Sequence, residues 1–169
     1  MRLSKPTAIF LLTLITSPAM AQTAAPPVLI NLPRLTMDTA LRMARAAISA
    51  CRKAGVNVAV TVVDRSGHPQ VVLRDTLAMN LALVVSRDKA YTAMTFDAPT
   101  SRLEHRFPDS YSVPKEPGVI ISAGGLPITA AGSIIGGIGV SGSPSGVTDE
   151  HCARAGLDAV RTDIEMSGM

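Results

Sequence analysis

Residues 120–142, IISAGGLPITAAGSIIGGIGVSG, constrain the fold of this chain more than any other stretch. They hold seven of its 13 glycines and no charged residue. Two apolar runs, at 119–122 and 134–141, are separated by the turn-rich segments GGLPI and TAAGS. Runs this short, rich in β-branched residues and bounded by glycine, read as buried strands at a sheet centre. A glycine inside a strand offers no side chain to pack, so Gly136, Gly137 and Gly139 imply that a helix backbone or a flat ligand comes close to this sheet.

The N-terminus has the three parts of a secretory signal peptide: MRLSK, an apolar core over residues 8–15, and an A-x-A site at Ala19-Met20-Ala21. Residues 1–21 are therefore expected to be a signal peptide, which places the remaining 148 of 169 residues in the periplasm or outside the cell. The apolar core is shorter than the roughly 20 residues a membrane anchor needs, and no other segment is expected to span a bilayer. With Arg2 and Lys5 gone, the net charge of +3 falls to +1. Two Tyr, three Phe and no Trp give no stacking platform, so nucleic acid is excluded as a partner class. Cys51 and Cys152 either form one disulfide in an oxidising compartment or remain buried thiols.

Residues 22–34, rich in Pro and Ala, read as a flexible leader, and residues 35–169 as one domain. Thr36 is expected to cap a helix whose stripe is Met37, Leu41, Ala44, Ile48 and Cys51, with Gly55 as its stop. Arg42, Arg45, Arg52 and Lys53 fall outside that stripe, on a solvated face. The β-branched run 56–63 and the run 70–74 flank the turn Asp64-Arg65-Ser66-Gly67 and form a hairpin, with His68 at its tip. Residues 80–95 fit a helix capped by Asn80, with apolar positions Leu81, Val84, Val85, Tyr91 and Met94 and a polar group of Arg87, Asp88, Lys89 and Thr92 that either faces solvent or lines a pocket. Ser101-x-x-Glu104 has capping-box spacing for a short helix carrying His105. Residues 108–117, with three prolines, are an irregular loop. Thr148 caps a final helix with stripe Ala153, Leu157, Val160 and Ile164. The order predicts an α+β fold, an antiparallel sheet of about five strands flanked by helices at the N-terminus, middle and C-terminus.

No chemical motif stands out from the residues themselves. Residues 137–142 spell G-x-G-x-x-G, but Pro144 and Gly146 separate them from the next helix, whereas a dinucleotide fingerprint opens a helix at once. His68, His105 and His151 lie on distant segments without metal-ligand spacing. No G-x-S-x-G elbow is present.

The succession LTMDTALRMARAAISACRKAGV, VAVTVVDRSGHPQVVLR, SRDKAYTAMTF, PGVIISAGGLPI, IIGGIGVSG and DEHCARAGLDAV resembles the GlcG/HbpS family. The resemblance runs from Leu35 to about Val160, and its most specific parts are DKAYTA, GGLPI and IGGIGVSG in that order. It implies a small antiparallel sheet with helices, often assembled as homo-oligomers. Members resembling HbpS are secreted haem-binding proteins linked to haem degradation or iron handling. Others belong to glycolate-utilisation contexts or are fused to cobalamin-related enzymes, as in PduO. Haem as cofactor requires an apolar slot, cations or hydroxyls for the propionates, and an iron ligand. Carried over by motif, Lys89 would pair a propionate, Thr92 would offer an oxygen to iron, Tyr91 and Met94 would wall the ring, and Gly124 and Gly125 would allow close approach. His68 and His105 are further candidates for the iron, and His151 is read as structural. Two other readings stand beside haem: a periplasmic small-molecule-binding module partnering an oxidoreductase, and an enzyme that holds a small organic acid through Arg74, Lys89 or Arg102.

Overall fold

The computed structural model describes residues 27–107 and 113–167. Residues 1–31 and 32–169 form separate units. The signal-peptide segment and part of the leader lie outside the described residues, and the described residues 27–36 carry no helix or strand. Everything below concerns the second unit.

Its first helix, α1 (Met37–Lys53), starts where the Thr36 hydroxyl accepts the Thr39 amide at 3.3 Å. It stops where Gly55 turns left-handed at φ 76° and the Val56 amide reaches back to the Cys51 carbonyl. β1 (Ala59–Asp64) and β2 (Pro69–Arg74) form the expected hairpin. Gly67 provides the positive φ of its turn, and Asp64 Oδ1 accepts the amides of Ser66 and His68. α2 (Leu81–Phe96) and the one-turn α3 (Thr100–Leu103) follow. Asn80 makes no side-chain cap bond, and Pro99 rather than a capping box precedes α3. The expected box residues are used elsewhere: the Ser101 hydroxyl donates to Glu150, and Glu104 accepts the Ala123 amide.

β3 (Gly125–Ala130) and β4 (Ser133–Ser141) are joined by Ala131 and Gly132, both at positive φ, as a tight hairpin requires. α4 (Gly146–Asp158) and α5 (Arg161–Ser167) complete the chain. The final helix is thus broken near Val160, and it begins after Ser145 rather than at Thr148.

The sheet is antiparallel, in the order β2-β1-β4-β3. Pro69 and Pro127 sit on its two edge strands, where a missing amide donor is tolerated. The α+β class is as predicted, but among the described residues the sheet has four strands rather than about five. Residues 119–122 do not join the ladder; the Ile120 amide is taken instead by the Thr92 hydroxyl at 2.9 Å. On one face lies the main core, in which Met43, Ala44 and Ala47 of α1 and Ala153 of α4 meet Val60, Val62, Ile138 and Val140. Cys51 and Cys152 form a disulfide that joins α1 to α4. On the other face lies α2, with a small cluster of Val63, Ala90 and Met94.

Candidate functional site

Two glycines of β4, Gly137 and Gly139, are explained by α2, whereas Gly136 lies against the Val63 carbonyl of β1. A methyl group on Gly137 would run into the Ala90 carbonyl, and one on Gly139 into the Ser86 carbonyl. The helix backbone rests directly on the strand, so the close neighbour implied by these glycines is a helix and not a ligand. Such contact admits only small residues on the inward face, and Ala82, Ser86, Ala90 and Ala93 fill it. Ser86 is satisfied there by the Thr61 hydroxyl at 2.9 Å. The expected stripe is therefore partly reversed: Met94 is buried, Tyr91 is half-buried, and Leu81 and Val84 face outward, 64% and 47% exposed.

Lys89, Thr92, Gly124 and Gly125 are brought together, in a packed cluster. Lys89 Nζ lies 3.0 Å from Asp149 Oδ2, with both side chains almost fully buried, and Asp149 Oδ1 accepts the Ser143 amide at 3.1 Å. Gly124, at φ 128°, leaves room for this ammonium, since a methyl there would stand 2.7 Å from Nζ. Gly125 lies against the Lys89 carbonyl and donates its amide to Thr100. The Thr92 hydroxyl, besides accepting from Ile120, reaches the Gly118 carbonyl at 3.5 Å. In the folded chain the Lys89 ammonium faces Asp149, and the Thr92 oxygen fastens the 118–120 loop. Asp149 was missed as the partner of Lys89 because the two are 60 residues apart and no local pattern links them. Replacing Thr92 by Val is expected to leave the Ile120 amide unpaired, lowering stability by about 1–3 kcal/mol in urea unfolding and speeding hydrogen exchange at Ile120.

Tyr91 is held differently. Its ring lies between Gly67 of the hairpin tip, where a methyl would stand 2.6 Å from Cδ2, and Gly118 of the loop. His68 follows Gly67 and extends into solvent, its side chain 81% exposed and Nδ1 3.8 Å from Asp64. The fold thus carries His68 to the Tyr91 end of the α2 surface. His105 is exposed in the turn after α3, and its side chain has no hydrogen bond or ion pair among the described residues. Beyond the other end of α2 the exposed stripe continues through Leu77 and Met79, 79% and 63% exposed. Arg87 lies beside the stripe and bonds Asp88 at 2.7 Å.

Three grooves lie away from this face. One of about 350 Å³ lies between residues 33–39, the β3–β4 turn and α5. A second, also about 350 Å³, is lined by Ser101, Ala123, Val147, Glu150, His151 and Arg154, so His151 borders a cleft rather than the core. A third, of about 440 Å³, lies between α1 and β2. Among the described residues no group of three or more His, Cys, Asp or Glu can hold a metal ion, and no helix is long and apolar enough to cross a membrane.

A four-stranded antiparallel sheet, covered on one face by a disulfide-linked helix pair and on the other by a helix seated on strand glycines, defines an α+β protein of three layers. Residues 35–158 match the family described as haem-degrading protein HbpS-like, and the chain belongs to that family. A double mutant of HbpS from Streptomyces reticuli is 42% identical, covering 85% of this chain and 99% of its own, with a TM-score of 0.76. The protein ORFY of Klebsiella pneumoniae is 25% identical over 82% of this chain and 98% of its own, with a TM-score of 0.77. PduOC, solved as a haem complex, is 26% identical over 75% of this chain and 95% of its own, with a TM-score of 0.70.

Proposed function

We propose that this chain is an exported haem-binding protein that assists haem degradation or iron handling, and that it seats the porphyrin on the outward face of α2 between copies of itself. The observation that carries this reading is the outward face of α2: Leu81 and Val84, with Leu77 and Met79 before them, present large apolar side chains that are 47–79% exposed among the described residues. A helix apolar on both faces is ordinarily buried on both, and one flat face alone would leave half of a porphyrin in water. A second copy supplies the other wall, which also answers the shortage of aromatic residues in one chain. The family and the haem complex of the PduOC neighbour support the ligand.

Within this seat Leu81, Val84 and Tyr91 line the ring, Arg87 lies where a propionate can reach it, and His68 at the hairpin tip offers an imidazole to iron. Lys89 and Thr92 act beneath the seat, holding the helix and the 118–120 loop that positions Tyr91. Bound haem would supply redox-active iron, whose reaction with peroxide is the chemistry of haem degradation. The Cys51–Cys152 bridge supports an oxidising compartment, in keeping with export through the residue 1–21 segment.

The test is the native mass and absorption spectrum of the protein as purified from a haem-replete host. A multimer carrying a Soret band is the expected result. A colourless multimer that gives no shifted band with stoichiometric added haem would leave the α2 face as a subunit interface alone.

A further inference from the structure

The face of α1 turned toward β2 carries a second arrangement that the haem reading does not use. Arg45, Ser49 and Arg52 of α1 meet Leu73, Arg74 and Asp75 across the groove of about 440 Å³, with Ile48 and Leu73 as its apolar floor. Two of the three guanidiniums are fixed. Arg52 donates through Nε and Nη2 to the two oxygens of Asp75, at 2.7 and 2.8 Å, and Arg74 Nη1 donates to the Ala78 carbonyl at 2.7 Å. These bonds leave further donors on both side chains. Among the described residues the Arg45 side chain has no hydrogen-bond or ion-pair partner. The Arg52 guanidinium holds the Asp75 carboxyl below the usual carboxylate range, so Asp75 stays ionised and cancels one of the three positive charges. The groove is left with an excess of two.

We propose that this groove is a binding site for a small organic dianion, a dicarboxylate with a short hydrocarbon body. The charge excess calls for two negative groups, and guanidiniums match carboxylates in paired hydrogen bonds. Because Arg52 and Arg74 are already oriented by their own chain, little ordering cost remains for the ligand to offset. The floor of Ile48 and Leu73 separates an organic dianion from inorganic phosphate, which has nothing to place on it. Arg45 is the free arm that closes on the second carboxylate, with the Ser49 hydroxyl beside it.

The experiment titrates the full chain, by calorimetry and melting, with succinate, inorganic phosphate and acetate in separate arms. Saturable binding of succinate, at least about tenfold tighter than phosphate or acetate, is expected. Arg45→Gln should weaken succinate about tenfold with the melting temperature of the free protein unchanged, because Arg45 has no partner to lose. Ser49→Ala, a second exposed change, should weaken it less. Absence of saturable succinate binding would overturn the proposal. So would equal binding of all three anions, binding indifferent to Arg45→Gln, or displacement of succinate by stoichiometric haem, which would merge the two sites.

Discussion

Replacing Cys51 and Cys152 together by Ala is expected to lower the folding free energy by about 2–5 kcal/mol, a large share of a small domain's stability. The two cysteines are 101 residues apart, and the loop they close contains both strand hairpins and α2. In the chain-entropy account, closing a loop of roughly this length in the unfolded state is worth about 4.7 kcal/mol, with the measured effect often smaller. Both sulfurs are buried where α1 packs on α4, so the substitution also removes contacts from the main core. Urea unfolding of the oxidised protein, of the protein with reductant and of the double-Ala variant checks this. Coincident midpoints for all three would show that the bridge adds nothing.

Breaking the Lys89–Asp149 pair is expected to cost as much. Asp149→Asn leaves an ammonium buried between α2 and α4 without its counter-charge, and the loss of one member of such a pair typically costs about 3–5 kcal/mol. Asp149 also accepts the Ser143 amide, so the β4–α4 connection loosens with it. The double variant Lys89→Met, Asp149→Leu removes both charges and should recover a substantial part of the loss, because the desolvation of two ions is then no longer opposed to folding. Equilibrium unfolding of the wild type and of these two variants reads this directly. A single variant as stable as the wild type would mean that the ammonium finds water or another acceptor.

The parts of the fold that were legible in the sequence are those fixed by short-range chemistry. Thr36, the stripe from Leu41 to Cys51 and Gly55 define α1 because cap, periodicity and stop all lie within one helix, whereas Met37 at its start is 58% exposed. The β-branched run before Gly67 defines the first hairpin for the same reason. The glycines of β4 foretold a close neighbour, yet not which one, since a strand glycine accommodates a helix or a ligand equally. What escaped was set by partners distant in the chain. Leu81 and Val84 gave the helix its apolar periodicity, which marks a stripe without saying which way it faces; the direction is fixed by Gly137 and Gly139 of β4, against which the small residues Ala82, Ser86, Ala90 and Ala93 pack. Residues 119–122 read as a strand, but a side-chain hydroxyl from α2 takes their amide before a ladder can. The cysteine pairing stayed open because spacing carries no information on whether two Cα atoms approach to 5.5 Å.

The candidate site followed the same division. The DKAYTA motif lies on α2, and Tyr91 is half-buried at the surface where the ring is proposed to sit. Its neighbours Lys89 and Thr92 turn inward, to partners on α4 and on the 118–120 loop that no motif on α2 announces.

The central claim is that the outward face of α2 seats the porphyrin, and a haem titration of the wild type and of Val84→Asp, followed by absorption, tests it most directly. Val84 is half-exposed and outside both cores, so the variant should fold with little change in melting temperature. The wild type should give a stoichiometric shifted Soret band, and Val84→Asp should lose it or titrate about tenfold more weakly. An undiminished band in a folded Val84→Asp protein would contradict it.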